Sequence, residues 1–244
     1  MGQFLEQPGP EALHEWRVEV KKIAALLKLS CFSQTNKKIK KAFRPIKKMF
    51  RKTGEIRQAQ LYLDKLEREG LGMSTLTANL NASIEADTKK FVGNGKKHHK
   101  LLKKQLKTTT EELSNIPNRH LTRFFRLKIK TISRQLNLGK DRKTYLHQAR
   151  KNIKEMMYLK HFLIKPEFDL ALLNWDYLDK LQKHMGEWHD LNELSDYIEK
   201  ESHDRALTDK IRYSMAKCLG ETLNLAENFQ AKIKQAGPLQ KQTE

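Results

Sequence analysis

Apolar residues recur along this chain at intervals of three and four, separated by long charged stretches. Projecting residues 13–28 at 100° per residue puts Leu13, Trp16, Val20, Ile23, Ala24 and Leu27 on one stripe, the pattern of a helix with one face in a core. Leu146, Ala149, Ile153, Met156 and Met157 form a second stripe of the same kind. No segment alternates with period two, and no Asn-Gly or Asp-Gly pair joins two β-branched runs as a hairpin requires. Stretches rich in Leu, Lys, Glu, Gln and Ala, interrupted at few places by Gly and Pro, predict an all-α protein. The expected helices are 11–29, 35–52, 55–70, 75–91, 96–115, 118–137, 142–164, 168–185, 188–201 and 205–235. Pro10, Gly93-Asn94-Gly95, Pro117, Gly139 and Gly237-Pro238 punctuate them, leaving 1–10 and 237–244 as expected tails.

The two stripes belong to an internal repeat. The run Leu13-His14-Glu15-Trp16-Arg17-Val18-Glu19-Val20-Lys21 returns 133 positions later, at Leu146, as Leu-His-Gln-Ala-Arg-Lys-Asn-Ile-Lys. Gly54-Glu55-Ile56-Arg57 returns 132 positions later as Gly186-Glu187-Trp188-His189. Two anchors at nearly one offset indicate a duplicated helical unit, with halves at about 11–115 and 118–236.

Beside each apolar stripe runs a cationic one. His14, Arg17, Lys21 and Lys28 flank the first, and His147, Arg150, Lys154 and His161 the second, whereas Glu15, Glu19 and Lys22 point more nearly away from the core. A row that serves only solubility mixes signs and lies opposite the core; these rows have one sign and lie on its flank. Like charges at helical spacing repel by a few tenths of a kcal/mol per pair, a sign that a bound polyanion reverses. Arg119, Arg123, Arg126, Lys130 and Arg134 make a further row, opposite Leu121, Phe125, Ile129, Ile132 and Leu136, and Lys96, Lys100, Lys103 and Lys107 another. For the former, a solvated face is as good an account as a ligand surface.

Composition narrows the partner. With 48 Lys+Arg against 29 Asp+Glu in 244 residues, the formal charge is +19, and 32% charged residues exceed the usual quarter or so. Such an excess points to a polyanion: nucleic acid, an anionic membrane surface or a phosphate polymer. No apolar run approaches the ~20 residues that cross a bilayer, so membrane insertion is not expected. The first 15 residues lack a basic segment followed by an apolar one, and a cytoplasmic location is expected. Cys31 and Cys218, far apart and without neighbouring ligands, are expected as reduced thiols, with no metal or cofactor.

The repeated His-x2-Arg-x3-Lys, with Lys22 after the first copy and Tyr158 after the second, resembles the conserved-histidine α-helical (CHAD) family. So does Leu178-Asp179-Lys180-Leu181-Gln182-Lys183-His184-Met185-Gly186-Glu187-Trp188-His189-Asp190. The resemblance runs from about 11 to 236. It implies two antiparallel helical bundles related by a pseudo-two-fold axis around a basic central groove or pore that binds inorganic polyphosphate, without catalysis. Carried over residue by residue, it marks His14, Arg17, Lys21 and Lys22 in one half and His147, Arg150 and Lys154 in the other. Arg57 and His189 match the position after the family's glycine-containing turn, and Lys28, Arg126 and Lys130 extend the basic surface. Polyphosphate granules in the cytoplasm are the location that the resemblance suggests. This sequence departs from the pattern at Glu155, where a second lysine is usual, at Gln58, where the other half has Asp190, and at Met185, where leucine is usual.

Two other readings compete. An RNA- or DNA-binding helical protein would carry the same charge, but the aromatic residues here sit mostly in apolar stripes and do not alternate with cations as stacking platforms do. Weak, salt-sensitive nucleic-acid binding is expected as a side activity. His189-Asp190, with His161, Asp204 or Asp209, superficially resembles the metal-dependent HD phosphohydrolases; a His-Asp pair alone is common, and the first copy has Arg57-Gln58 there.

Overall fold

The computed structural model describes residues 1–33, 37–68, 70, 74–111, 116–137, 142–160, 173–202 and 204–234. Among them are ten helices and no strand: α1 (Gly2–Glu6), α2 (Pro10–Ser33), α3 (Lys37–Arg68), α4 (Thr75–Gly93), α5 (Gly95–Glu111), α6 (Asn118–Asn137), α7 (Arg142–Leu159), α8 (Trp175–Glu201), α9 (Arg205–Ala226) and α10 (Phe229–Lys232). The chain divides into two compact units, Met1–Ile116 and Pro117–Glu244. His161, Gly139 and the Gly237-Pro238 stop lie outside the described residues.

In the first unit α3 packs against α2, α4 and α5. The apolar stripe of α2 enters the core as expected, with Leu13, Trp16, Val20 and Leu27 buried against Ile39, Phe43, Ile46, Met49 and Ile56 of α3. Ser74 starts α4 with a reciprocal cap: its hydroxyl accepts from Thr77 N–H at 3.2 Å while Thr77 Oγ1 accepts from Ser74 N–H at 3.0 Å. The first ten residues are more than a tail. Phe4 of α1 is 1% exposed and lies 6.0 Å from the Phe91 ring, and Leu5 closes over Gly95. Five residues are too few to hold a helix alone, so this burial is what keeps α1 in place.

In the second unit α7 packs against α6 and α8, and α8 against α9. Leu146, Ala149, Ile153 and Met156 of α7 are buried, as are Leu178, Leu181, Met185, Leu194 and Ile198 of α8. Asn174 and Asp204 cap α8 and α9 through hydrogen bonds from Tyr177 and Leu207 N–H groups. The helix expected over 205–235 instead stops at Ala226. Asn228 adopts a left-handed conformation (φ 54°), which its short polar side chain tolerates, and α10 follows.

The largest departure concerns the two repeated glycines. Breaks were expected near 53–54 and 186–187, yet α3 and α8 run straight through Gly54 and Gly186. A glycine inside a helix costs about 1 kcal/mol relative to alanine. At both places the open surface it leaves is filled by an arginine from the neighbouring helix.

Candidate functional site

Arg17 leaves α2 on the edge of its buried stripe and lies across α3. Its Nη1 donates to the Phe50 carbonyl at 2.6 Å and to Thr53 Oγ1 at 3.0 Å, and its Cζ sits 3.9 Å above the Phe50 ring. A Cβ on Gly54 would stand 3.7 Å from Nη1, in ordinary contact. Lys21, one turn on, has its Nζ 6.0 Å from the same ring. Burial, and then the nearby charge of Arg57, pull the Arg17 pKa down to about 10. Two arginine charges therefore work against each other at this site, and Arg57 is steadied by a 3.4 Å hydrogen bond to Gln60 Oε1.

The second unit repeats the device with tighter packing. Arg150 of α7 lies across Gly186 of α8 so closely that a Cβ there would come 2.8 Å from Nη2 and 3.0 Å from Nε. Where Arg57 stands in the first unit, this one has His189, whose ring centroid lies 4.3 Å from that of His147 at a tilt of 47°. Arg150 Nε and His147 Nδ1 are buried, with no hydrogen-bond partner among the described residues. Such groups cost about 1–3 kcal/mol each when nothing satisfies them, and a ligand oxygen would.

Burial and neighbouring cations disfavour added positive charge on the two imidazoles of this cluster. His147 is pushed down to about 4 by burial first and then by His189, Lys151 and Arg150. His189 is likewise pushed down to about 4 by burial, Arg150, Lys151 and Lys143. Lys154 is lowered by burial and Arg150, with Asp190 and Asp179 acting in the opposite sense, and burial raises the Tyr158 phenol against the pull of Arg150. An anion here would offset the repulsion that Arg150, Lys151 and Lys143 exert on the imidazoles.

The structure thus joins Arg17, Lys21 and Arg57 in one unit, and His147, Arg150, Lys154 and His189 in the other. His14 and Lys28 lie on the exposed flank of α2. Lys22 turns outward to pair with Glu19 at 2.7 Å. Arg126 and Lys130 are exposed, on the side of α6 opposite Lys128, the residue that binds α7. Lys143 and Lys151, which act on the histidine pair, lie outside the repeated cationic stripe. Lys151 falls between two marked residues on α7 and has no cationic counterpart in the first copy, where Val18 stands. Among the described residues no group of three or more His, Cys, Asp or Glu side chains is placed to hold a metal ion.

Each of the two units thus holds an arginine over a helix glycine with a lysine one turn on, at the positions of the internal repeat. The family model described as CHAD domain matches residues 3–199. This chain belongs to the CHAD family. No curated protein and no solved structure matches it. The CHAD match begins within α1 and ends within α8, so the docked N-terminal helix is part of it.

The departures from the CHAD pattern now have physical accounts. Glu155 faces α6, where Lys128 Nζ donates to its carboxylate at 2.6 Å and to Asn152 Oδ1 at 2.7 Å. Its counterpart Lys22 also points away from the arginine, so the exchange of charge leaves the cluster's inner face alone. Gln58 has a buried Nε2 with no hydrogen-bond partner among the described residues, whereas Asp190 at the matching place stabilises the charge on Lys154. Met185 is 1% exposed and fills a core position as leucine would.

Proposed function

We propose that this CHAD protein binds inorganic polyphosphate without catalysing a reaction on it. The observation that carries the reading is the buried Arg150 Nε beside the buried His147 Nδ1, both without a hydrogen-bond partner among the described residues, in a cluster where Arg150, Lys151 and Lys143 act on the paired imidazoles. Arginine offers a planar fork to phosphate oxygens, and lysine a mobile point charge. Two such clusters, one in each unit, suit a ligand with many phosphates better than a single phosphate ester. Family membership supports the same ligand class.

Calorimetric titration of the whole chain with long-chain polyphosphate, against RNA of matched length and charge, tests this. Tight binding to polyphosphate, weak binding to RNA and loss of affinity in the Arg17→Ala/Arg150→Ala variant are expected. Affinity should also fall steeply with salt, since each neutralised phosphate releases condensed counterions. Equal binding of both polymers, unchanged in the variant, would reassign the charge of +19 to general nucleic-acid attraction.

A further inference from the structure

The duplicated clusters differ in one chemically decisive place. In the first unit the residue three after the glycine is Arg57, a guanidinium that donates to Gln60 Oε1. In the second it is His189, which meets His147 ring against ring at 4.3 Å. From α7 the pair faces Arg150, Lys151 and Lys143, with Lys154 one turn beyond. From α8 come Asp190 and Asp179, which act on Lys154, and Asp196, whose carboxylate is held by Lys143 at 2.9 Å. The charges that shift the imidazoles are those of Arg150, Lys151 and Lys143, while Asp196 is held by Lys143 and Asp179 by Lys183.

We propose that the His147–His189 pair makes polyanion binding in the second unit proton-linked: the pair is neutral in the empty site and takes up protons as the anion arrives, so that this unit binds more tightly as pH falls. The inference rests on the polyphosphate reading of the same site. Its physical basis is mutual. Neutral rings spare the cluster two further charges beside Arg150, and an incoming phosphate chain supplies the negative potential that makes protonation favourable. Both ring nitrogens of a protonated histidine are donors, so His147 Nδ1, buried and without a hydrogen-bond partner among the described residues, would then donate to a phosphate oxygen. Burial and the surrounding cations, which hold both imidazoles far below their ordinary range, are the reserve from which this uptake is drawn.

Calorimetry of the whole chain with long-chain polyphosphate at about pH 6, in two buffers of different ionisation enthalpy, counts the protons absorbed. The wild type should absorb between about one and two per second-unit site, and His189→Arg, which copies the first unit's Arg57, should absorb measurably fewer for each chain bound. NMR titration of the His147 and His189 ring resonances gives a readout that needs no variant; their midpoints should rise when polyphosphate is added. Binding without proton uptake, or ring midpoints that do not move, overturns the inference and leaves polyphosphate binding intact. Absence of any polyphosphate binding overturns both.

Discussion

Replacing Gly186 by alanine separates the role of Arg150 in binding from its role in folding. The new Cβ would stand 2.8 Å from Nη2, 3.0 Å from Nε and 3.2 Å from Cζ of Arg150, the first closer than a Cβ tolerates and the other two tighter than ordinary van der Waals contact. Every one of those atoms belongs to the mobile end of a long side chain, so the guanidinium retreats by roughly 1 Å or changes rotamer, and the backbone need not move. Alanine inside α8 gains up to about 1 kcal/mol of helix propensity, so thermal stability should stay level or rise. The arginine, however, loses the position from which it meets phosphate. A charge-assisted hydrogen bond is worth about 1.5–3 kcal/mol, and at 1.4 kcal/mol per decade its loss weakens polyphosphate binding by roughly ten-fold to a hundred-fold. Gly54→Ala is the internal control, because its Cβ would meet Arg17 at 3.7–3.8 Å and displace nothing. Calorimetric affinity and melting temperature, measured on both variants, give the comparison. Unchanged affinity in Gly186→Ala, or an equal loss in Gly54→Ala, would refute the view that the glycine exists to seat the arginine.

Three further outcomes are expected. His147 and His189 sit near pKa 4 against an ordinary 6.5, so between those values the unfolded chain binds more protons and the empty protein loses stability as pH falls from about 6.5 towards 4. Urea midpoints across that window should show a slope of at most about 1.4 kcal/mol per pH unit for each of the two groups, flattened in His189→Asn; a wild-type profile without slope there contradicts it. Glu155→Gln should destabilise by about 1–3 kcal/mol in urea denaturation, because Lys128 keeps Asn152 but loses its carboxylate, while polyphosphate affinity stays the same or rises slightly. Phe4→Ala should cost about 3–5 kcal/mol by the same assay, a loss that a dispensable tail would not produce.

Much of this protein is written in local periodicity. The stripes of α2 and α7 could be traced residue by residue, because a one-sided helix must place apolar residues every three or four positions whatever it packs against. The cationic rows were legible for a second reason: duplication printed them twice, at His14, Arg17, Lys21 and at His147, Arg150, Lys154. Local rules failed where the deciding partner lies elsewhere in the chain. Gly54 and Gly186 read as breaks because glycine weakens an isolated helix, but each is held inside a long helix under an arginine from another one. The short α1 is too small for propensity to announce, and it exists through the burial of Phe4. Lys22 was marked by the family resemblance although its projection points away from the cationic stripe, and it pairs outward with Glu19, as its counterpart Glu155 pairs with Lys128. The meeting of His147 with His189 joins residues of two helices separated by a segment that carries no trace of the contact. Sequence determined which faces are apolar and which are cationic; only packing between helices decided which cations share a site, because repulsion and desolvation depend on distances that no local pattern encodes.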